Sequence, residues 1–140
     1  MICTKATKEE LRELFEIESI VFQGDAFAIS LASMRYHLKN NRIFVAKEKG
    51  VIAGYILWLE RKKYFRLYSI AVLPEFRGMG CGEKLLSFSF EELKGKAFSL
   101  EVKTQNRNAM KLYEKFGFEI KKSIKGYYPE GSDAYVMHKK

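Results

Sequence analysis

Cysteine is scarce in this chain, and the two present, Cys3 and Cys81, make neither a disulfide framework nor a metal-ligand pattern. The two histidines, His37 and His138, also lack metal-ligand spacing, so they read as surface or packing residues and no metal is expected. No apolar run approaches the roughly 18 residues of a membrane span. The start, Met1-Ile2-Cys3-Thr4-Lys5, lacks the apolar core and small-residue cleavage site of a secretion signal. Linkers, repeats and low-complexity tracts are missing too. These absences point to a cytoplasmic protein with no membrane partner.

Acidic residues are outnumbered, 17 against 25 Lys and Arg, for a formal net charge of +8. Such a balance suits nucleic acid, or an anionic cofactor or partner. The basic residues are spread out, with small knots at Arg61-Lys62-Lys63, Lys121-Lys122 and Lys139-Lys140. No recognition-helix or ribonucleoprotein motif accompanies them, so direct nucleic-acid binding is not expected as the main role. What the chain has in quantity is core material: 47% hydrophobic residues, with 8 Tyr and 11 Phe in 140 residues. That suits a single packed domain over residues 1–140 and excludes a disordered chain.

Hydrophobic spacing predicts the elements. Ile2 to Ala6 reads as a strand. Thr7-Lys8-Glu9-Glu10 is a capping box, opening a helix with Leu11, Leu14, Phe15 and Ile17 inward. After a break at Gln23-Gly24-Asp25, Ser30 is placed to cap a second helix that stops at Asn40-Asn41. Strands at Arg42–Glu48 and Val51–Glu60 flank a hairpin turn at Lys49-Gly50. Arg66–Leu73 reads as a central strand buried on both faces. A helix then runs from Glu83 on Leu85, Leu86, Phe88, Phe90 and Leu93. Phe98–Lys103 is a strand, and Ala109, Leu112, Tyr113 and Phe116 make a helical face that Gly117 ends. Strands near Phe118–Ile124 and Ala134–His138 close the chain around the loop Lys125–Gly131. The order βααβββαβαββ implies an α/β (α+β) fold, a mixed sheet with helices on both faces.

The informative stretch is Arg77-Gly78-Met79-Gly80-Cys81-Gly82, followed by Glu83, between an apolar strand and an amphipathic helix. Its glycines allow a tight turn that brings backbone amides close to a ligand. The helix start adds orphan amides and the positive end of its dipole. Arg77 adds a planar cation suited to phosphate oxygens. The nucleotide-hydrolase loop and the dinucleotide fingerprint G-x-G-x-x-G both fail against these glycines, whichever one the count starts from.

Arg77-x-x-Gly80-x-Gly82 after an apolar strand matches the R/Q-x-x-G-x-G/A acetyl-CoA signature, and on it the chain resembles the GNAT N-acetyltransferases. A second block agrees: Leu100-Glu101-Val102, Asn106, Ala109 and Leu112-Tyr113-Glu114-Lys115-Phe116-Gly117-Phe118. With Tyr127-Tyr128-Pro129 it is similar to the RimI group, which acetylates the N-terminal alanine of a ribosomal protein. The resemblance implies a GNAT acyl-CoA fold over nearly the whole chain and acetyl-CoA as donor, with CoA as product. It assigns Ile70, Ala71 and Val72 to the pantetheine arm and Arg77, Gly78, Met79, Gly80, Cys81, Gly82 and Glu83 to the pyrophosphate. Asn106 and Ala109 join them as cofactor contacts. It also makes Glu101 a base and Tyr113, beside the CoA sulfur, an acid. Tyr127 and Tyr128 close over the acceptor, and Phe27 lies in the segment that forms one wall of the acceptor site in relatives.

Each residue also has a plainer reading. Glu101 suits the solvent side of an alternating strand, Tyr113 a core position, and Tyr127 and Tyr128 a sheet edge. Cys81 sits at a helix start, which favours thiolate, but without a nearby histidine it reads as a small loop filler. A peptide α-amine is about a tenth neutral at pH 7 and a lysine less than about a thousandth, so the α-amine is the easier acceptor. Against a ribosomal acceptor, Val21–Ser30 lacks the His-x-Phe-Pro-Trp-like segment of the RimI group. A lysine, a small amine, and a CoA-responsive ribosome or RNA-binding module remain alternatives.

Overall fold

The structure, a computed structural model, describes residues 1–25, 27–40 and 42–140. Its elements are β1 (Ile2–Lys5), α1 (Leu11–Val21), α2 (Leu31–Asn40), β2 (Arg42–Glu48), β3 (Val51–Glu60) and β4 (Tyr64–Val72), then α3 (Cys81–Glu92), β5 (Ala97–Lys103), α4 (Arg107–Lys115), β6 (Glu119–Ile124) and β7 (Ala134–Lys139). The order is the one the sequence predicts. The strands run β1-β2-β3-β4-β5-β7-β6 in a mixed sheet. Asn41, half of the expected stop of α2, and Ala26 lie outside the described residues. Among the described residues no helix is long and apolar enough to cross a membrane, and no cluster of three potential metal ligands occurs.

The chain divides into two compact units, Met1–Glu60 with Tyr68–Lys94, and Arg61–Leu67 with Gly95–Lys140. In the first, Glu10 Oε1 accepts the Thr7 N–H at 2.8 Å, half of the expected capping box. It opens a single 3-10 turn before α1. Lys49 (φ 51°) and Gly50 (φ 82°) make the two-residue hairpin turn whose positive φ values match strand twist. β3 is covered on both faces: Leu14, Ile17 and Met34 pack with Val45, Tyr55 and Leu57 on one. On the other, Phe44 meets Phe88 edge-on at 5.1 Å, and Trp58 Nε1 donates to Ser89 Oγ at 2.9 Å. The strand buried on both faces is therefore β3. β4, expected in that role, leaves Tyr68 40% exposed. Its apolar run is broken by Arg66, Tyr68 and Ser69, and Tyr68 is exposed while Arg66 and Ser69 are half-buried.

The second unit pairs Tyr64–Arg66 in parallel with Ala97–Ser99, and β5 and β6 antiparallel with β7. α4 is capped by Asn106, whose Oδ1 accepts the Ala109 N–H at 3.2 Å, and ends at Gly117 with φ 94°. In β6 the register slips between Ile120 and Lys122, so Lys121 is an extra, bulged residue.

Gly54 marks a close approach within the first unit. A Cβ there would lie 2.6 Å from the Ala71 carbonyl oxygen and 3.1 Å from Cys81 Sγ. Backbone cannot yield as a side-chain tip can. Gly54→Ala is expected to lower unfolding stability by about 1–3 kcal/mol, measured in urea; unchanged stability would show that the two strands can separate.

Candidate active site

Glu101 is the centre of the site in the second unit. β5 alternates, placing Leu100 and Val102 in the core and Ser99 and Glu101 on the opposite face. Position alone would let Glu101 face water, yet its side chain is only 14% exposed. The Arg66 guanidinium on β4 donates to Glu101 Oε1 through Nε at 2.9 Å and more closely through its terminal nitrogen. The Tyr127 hydroxyl also donates to Oε1, at 3.2 Å. All three bonds converge on one oxygen, and Oε2 is outside the set. Burial works against the Arg66 charge, but Glu101 outweighs it and raises the guanidinium pKa. Burial and the nearby carboxylate push the Tyr127 phenol upward, so it stays a donor at neutral pH.

The loop that carries Tyr127 is held by Gly126 N–H on Asp133 Oδ1 at 2.9 Å and by Tyr128 N–H on the Ser132 carbonyl at 3.1 Å. Tyr128 meets Tyr127 edge-on at 5.0 Å, and the Lys103 ammonium lies 5.1 Å from its ring centre. A cavity of about 830 Å³ opens on this face, lined by Arg66, Ser99, Glu101, Tyr127 and His138 among others. Glu101 and Tyr127, both singled out in the sequence, are brought into contact. Arg66 was not anticipated, since a lone Arg in an apolar strand carries no motif and its partner lies 35 positions away.

Tyr113, on the inner face of α4, is 6% exposed and meets Phe118 edge-on at 5.8 Å. Burial pushes its hydroxyl up to about 12, with Tyr128 adding to the shift. It therefore keeps its proton at neutral pH and is available as a donor, not as a base. Asn106 and Ala109 are occupied with each other in the helix cap, which leaves the Asn106 amide nitrogen as its donor.

The first unit holds the glycine loop. Gly78 (φ 81°) and Gly80 (φ 77°) adopt backbone that only glycine takes readily, with open space where each Cβ would be. α3 starts at Cys81, two residues earlier than the sequence suggests, because Lys84 N–H returns to the Gly80 carbonyl at 3.0 Å. Positive φ, open flanks and a helix start fit a pyrophosphate, and Met79, Gly82 and Glu83 belong to the same turn. Cys81 is 2% exposed and burial pushes its thiol up to about 11. Burial overrides the helix dipole, so it is a packing residue. On β4, Ala71 is buried while Ile70 and Val72 are half-buried.

Glu18 is a buried carboxylate that the sequence reading missed. It falls on the inner face of α1 and is 2% exposed. Oε2 accepts the Ile29 N–H at 2.9 Å, and Oε1 accepts from the Tyr55 hydroxyl and, at 3.3 Å, from Ser69 Oγ. These bonds fasten the segment before α2 to β3 and β4. Phe27, in that segment, is 51% exposed, its N–H on Asp25 Oδ1 at 2.8 Å. Burial raises the Glu18 pKa, and the donors only partly oppose it.

The chain is similar to known proteins. The signature of the Acetyltransferase (GNAT) family covers residues 8–118. An N-alpha-acetyltransferase of Sulfurisphaera tokodaii is 36% identical over 121 residues, 72% of this chain and 71% of that protein. The N-alpha-acetyltransferase RimI of Mycobacterium tuberculosis is 32% identical over 144 residues, 95% of this chain and 88% of its own. Among solved structures, the ribosomal-protein-S18-alanine N-acetyltransferase of Escherichia coli superposes with a TM-score of 0.88 at 26% identity, covering 98% of this chain and 91% of that one.

A carboxyl whose pKa is higher folded than unfolded keeps a proton that the unfolded chain loses. Stability therefore falls as pH rises from the ordinary carboxylate range toward the raised value. Glu18→Gln should flatten this dependence and equal or exceed the parent stability at pH 7. Glu18→Ala, which strands the Ile29 amide and the Tyr55 hydroxyl, should cost about 1–3 kcal/mol. Urea melts between pH 4.5 and 7.5 test both, and an unchanged slope in Glu18→Gln would count against the shift.

Proposed function

The chain belongs to the GNAT acetyltransferase family and is an acyltransferase, and from that premise we propose that it moves an acetyl group from acetyl-CoA to the N-terminal α-amine of a protein. The observation that carries the reading is Glu101, a carboxylate anchored through one oxygen on a cavity wall. The named activities of the N-alpha-acetyltransferase and S18-alanine acetyltransferase relatives support the α-amine, and through the latter a ribosomal protein, as acceptor.

Acetyl-CoA supplies an acyl carbon activated as a thioester. The loop amides from Gly78 to Glu83 and the Arg77 guanidinium bind its pyrophosphate. The backbone of Ile70, Ala71 and Val72 takes the pantetheine arm, and the Asn106 amide adds a hydrogen bond to the cofactor. Glu101 receives the proton that the amine loses, directly or through one water, on the oxygen that Arg66 and Tyr127 leave out of their contacts. The amine nitrogen bonds to the acyl carbon as the C–S bond breaks, and the Tyr113 hydroxyl gives its proton to the departing sulfur. No enzyme nucleophile is needed, in keeping with the buried, protonated Cys81. Tyr127, Tyr128 and Phe27 contact the acceptor. An α-amine reaches its neutral form near pH 8, so modest base assistance suffices.

Glu101→Gln is expected to lower kcat about a hundredfold, and Tyr113→Phe about tenfold or more, with acetyl-CoA still bound. Arg77→Ala should weaken acetyl-CoA affinity about tenfold and disturb the chemical step less. Steady-state kinetics with calorimetric cofactor titration separate these effects. Unchanged turnover in both Glu101→Gln and Tyr113→Phe would overturn the catalytic assignment.

A further inference from the structure

The cavity beside Glu101 is polarised. Lys63, Lys121, Lys122 and His138 line it together with Arg66, and Glu101 is its one acidic wall residue. Glu101 and Arg66 neutralise each other. None of the ion pairs seen among the described residues involves Lys63, Lys121 or Lys122, and all three are exposed. The bulge at Lys121 brings both lysines to the cavity, where a regular strand would send neighbours to opposite faces. The register sets the spacing. Glu101 pairs with Val136, which pairs with Lys122, so Lys122 stands two strands from Glu101, about 10 Å away. Ser99 and His138 form the next row on the same face, about 7 Å along the strands.

On the reading that the acceptor is a protein N-terminus, we infer that the cavity selects acidic ones, with Asp or Glu within residues two to four. An extended peptide advances about 3.3–3.6 Å per residue. With its α-amine at Glu101, its second to fourth side chains come within reach of Lys63, Lys121 and Lys122. The ligand's charge order, a cation at its first atom and anions beyond, is the complement of the cavity's order. A nucleic acid fits the lysines but not the remainder, because a phosphate has no N–H to give the Glu101 oxygen that Arg66 and Tyr127 leave open. The lysines lie at the solvent-exposed rim, so their contribution is steering and register, and it weakens with salt.

Three peptides of equal length test this, each beginning with Ala and continuing with Asp-Glu, Gln-Asn or Lys-Arg, assayed with acetyl-CoA by release of the CoA thiol. The acidic peptide should exceed the basic one about tenfold in kcat/KM, mostly through KM, and the gap should shrink between 50 and 500 mM salt. Charge reversal in Lys121→Glu/Lys122→Glu should invert the order. Lys63→Glu, on a separate segment, should narrow it, so a folding failure in β6 does not decide the matter. Equal kcat/KM for the three peptides would overturn this inference and leave N-terminal acetylation standing. Acetylation of none of them, with a lysine side chain or small amine modified instead, would overturn both. Single-stranded RNA that binds at low salt and blocks peptide acetylation would overturn it in favour of a nucleic-acid groove.

Discussion

A carboxylate removed from water must find donors in place of that water or lose its charge, and Glu101 and Glu18 meet that demand by different means. Around Glu101 the answer is a full positive charge, the Arg66 guanidinium, with the Tyr127 hydroxyl beside it. Around Glu18 it is a set of neutral donors from Ile29, Tyr55 and Ser69. The first arrangement takes all its contacts on one oxygen and leaves the other outside the set. The second suits a group whose work is to fasten a segment, and there burial prevails and the pKa rises.

The same competition between burial and local charge explains the two groups that motif reading would most readily misassign. Cys81 has the helix N-terminus that activates thiols, yet its burial against the Gly54 side of β3 leaves it protonated. Tyr113 lies on an apolar helix face, and the resulting upward shift leaves a phenol that keeps its proton at neutral pH. In both cases depth in the core, more than neighbouring residues in sequence, decides the chemistry.

Much of the fold was legible because its signals are local. The Thr7–Glu10 cap, the Lys49-Gly50 turn and the Gly117 stop each depend on a few adjacent residues, and all three are found where they were expected. β4 is the middle strand of the sheet, as expected, but its expected burial on both faces failed for the complementary reason. Whether an apolar run is covered on one face or two depends on what packs over it, and β3 takes the double cover. Start sites shifted by two residues, Cys81 for Glu83 and Tyr64 for Arg66, because Lys84 N–H bonds back to Gly80 in the helix and Tyr64–Arg66 pair with Ala97–Ser99 in the strand.

The sequence by itself determined the family, the order of elements and the glycine turn, since each follows from short-range spacing and backbone freedom. It also named Glu101 and Tyr127 without joining them. Only the tertiary structure supplied Arg66, the anchored Glu18 and the bulge that turns Lys121 and Lys122 to one cavity. Each of these rests on pairing between strands or helices far apart in the chain, and strand register, not residue type, fixes which charges meet.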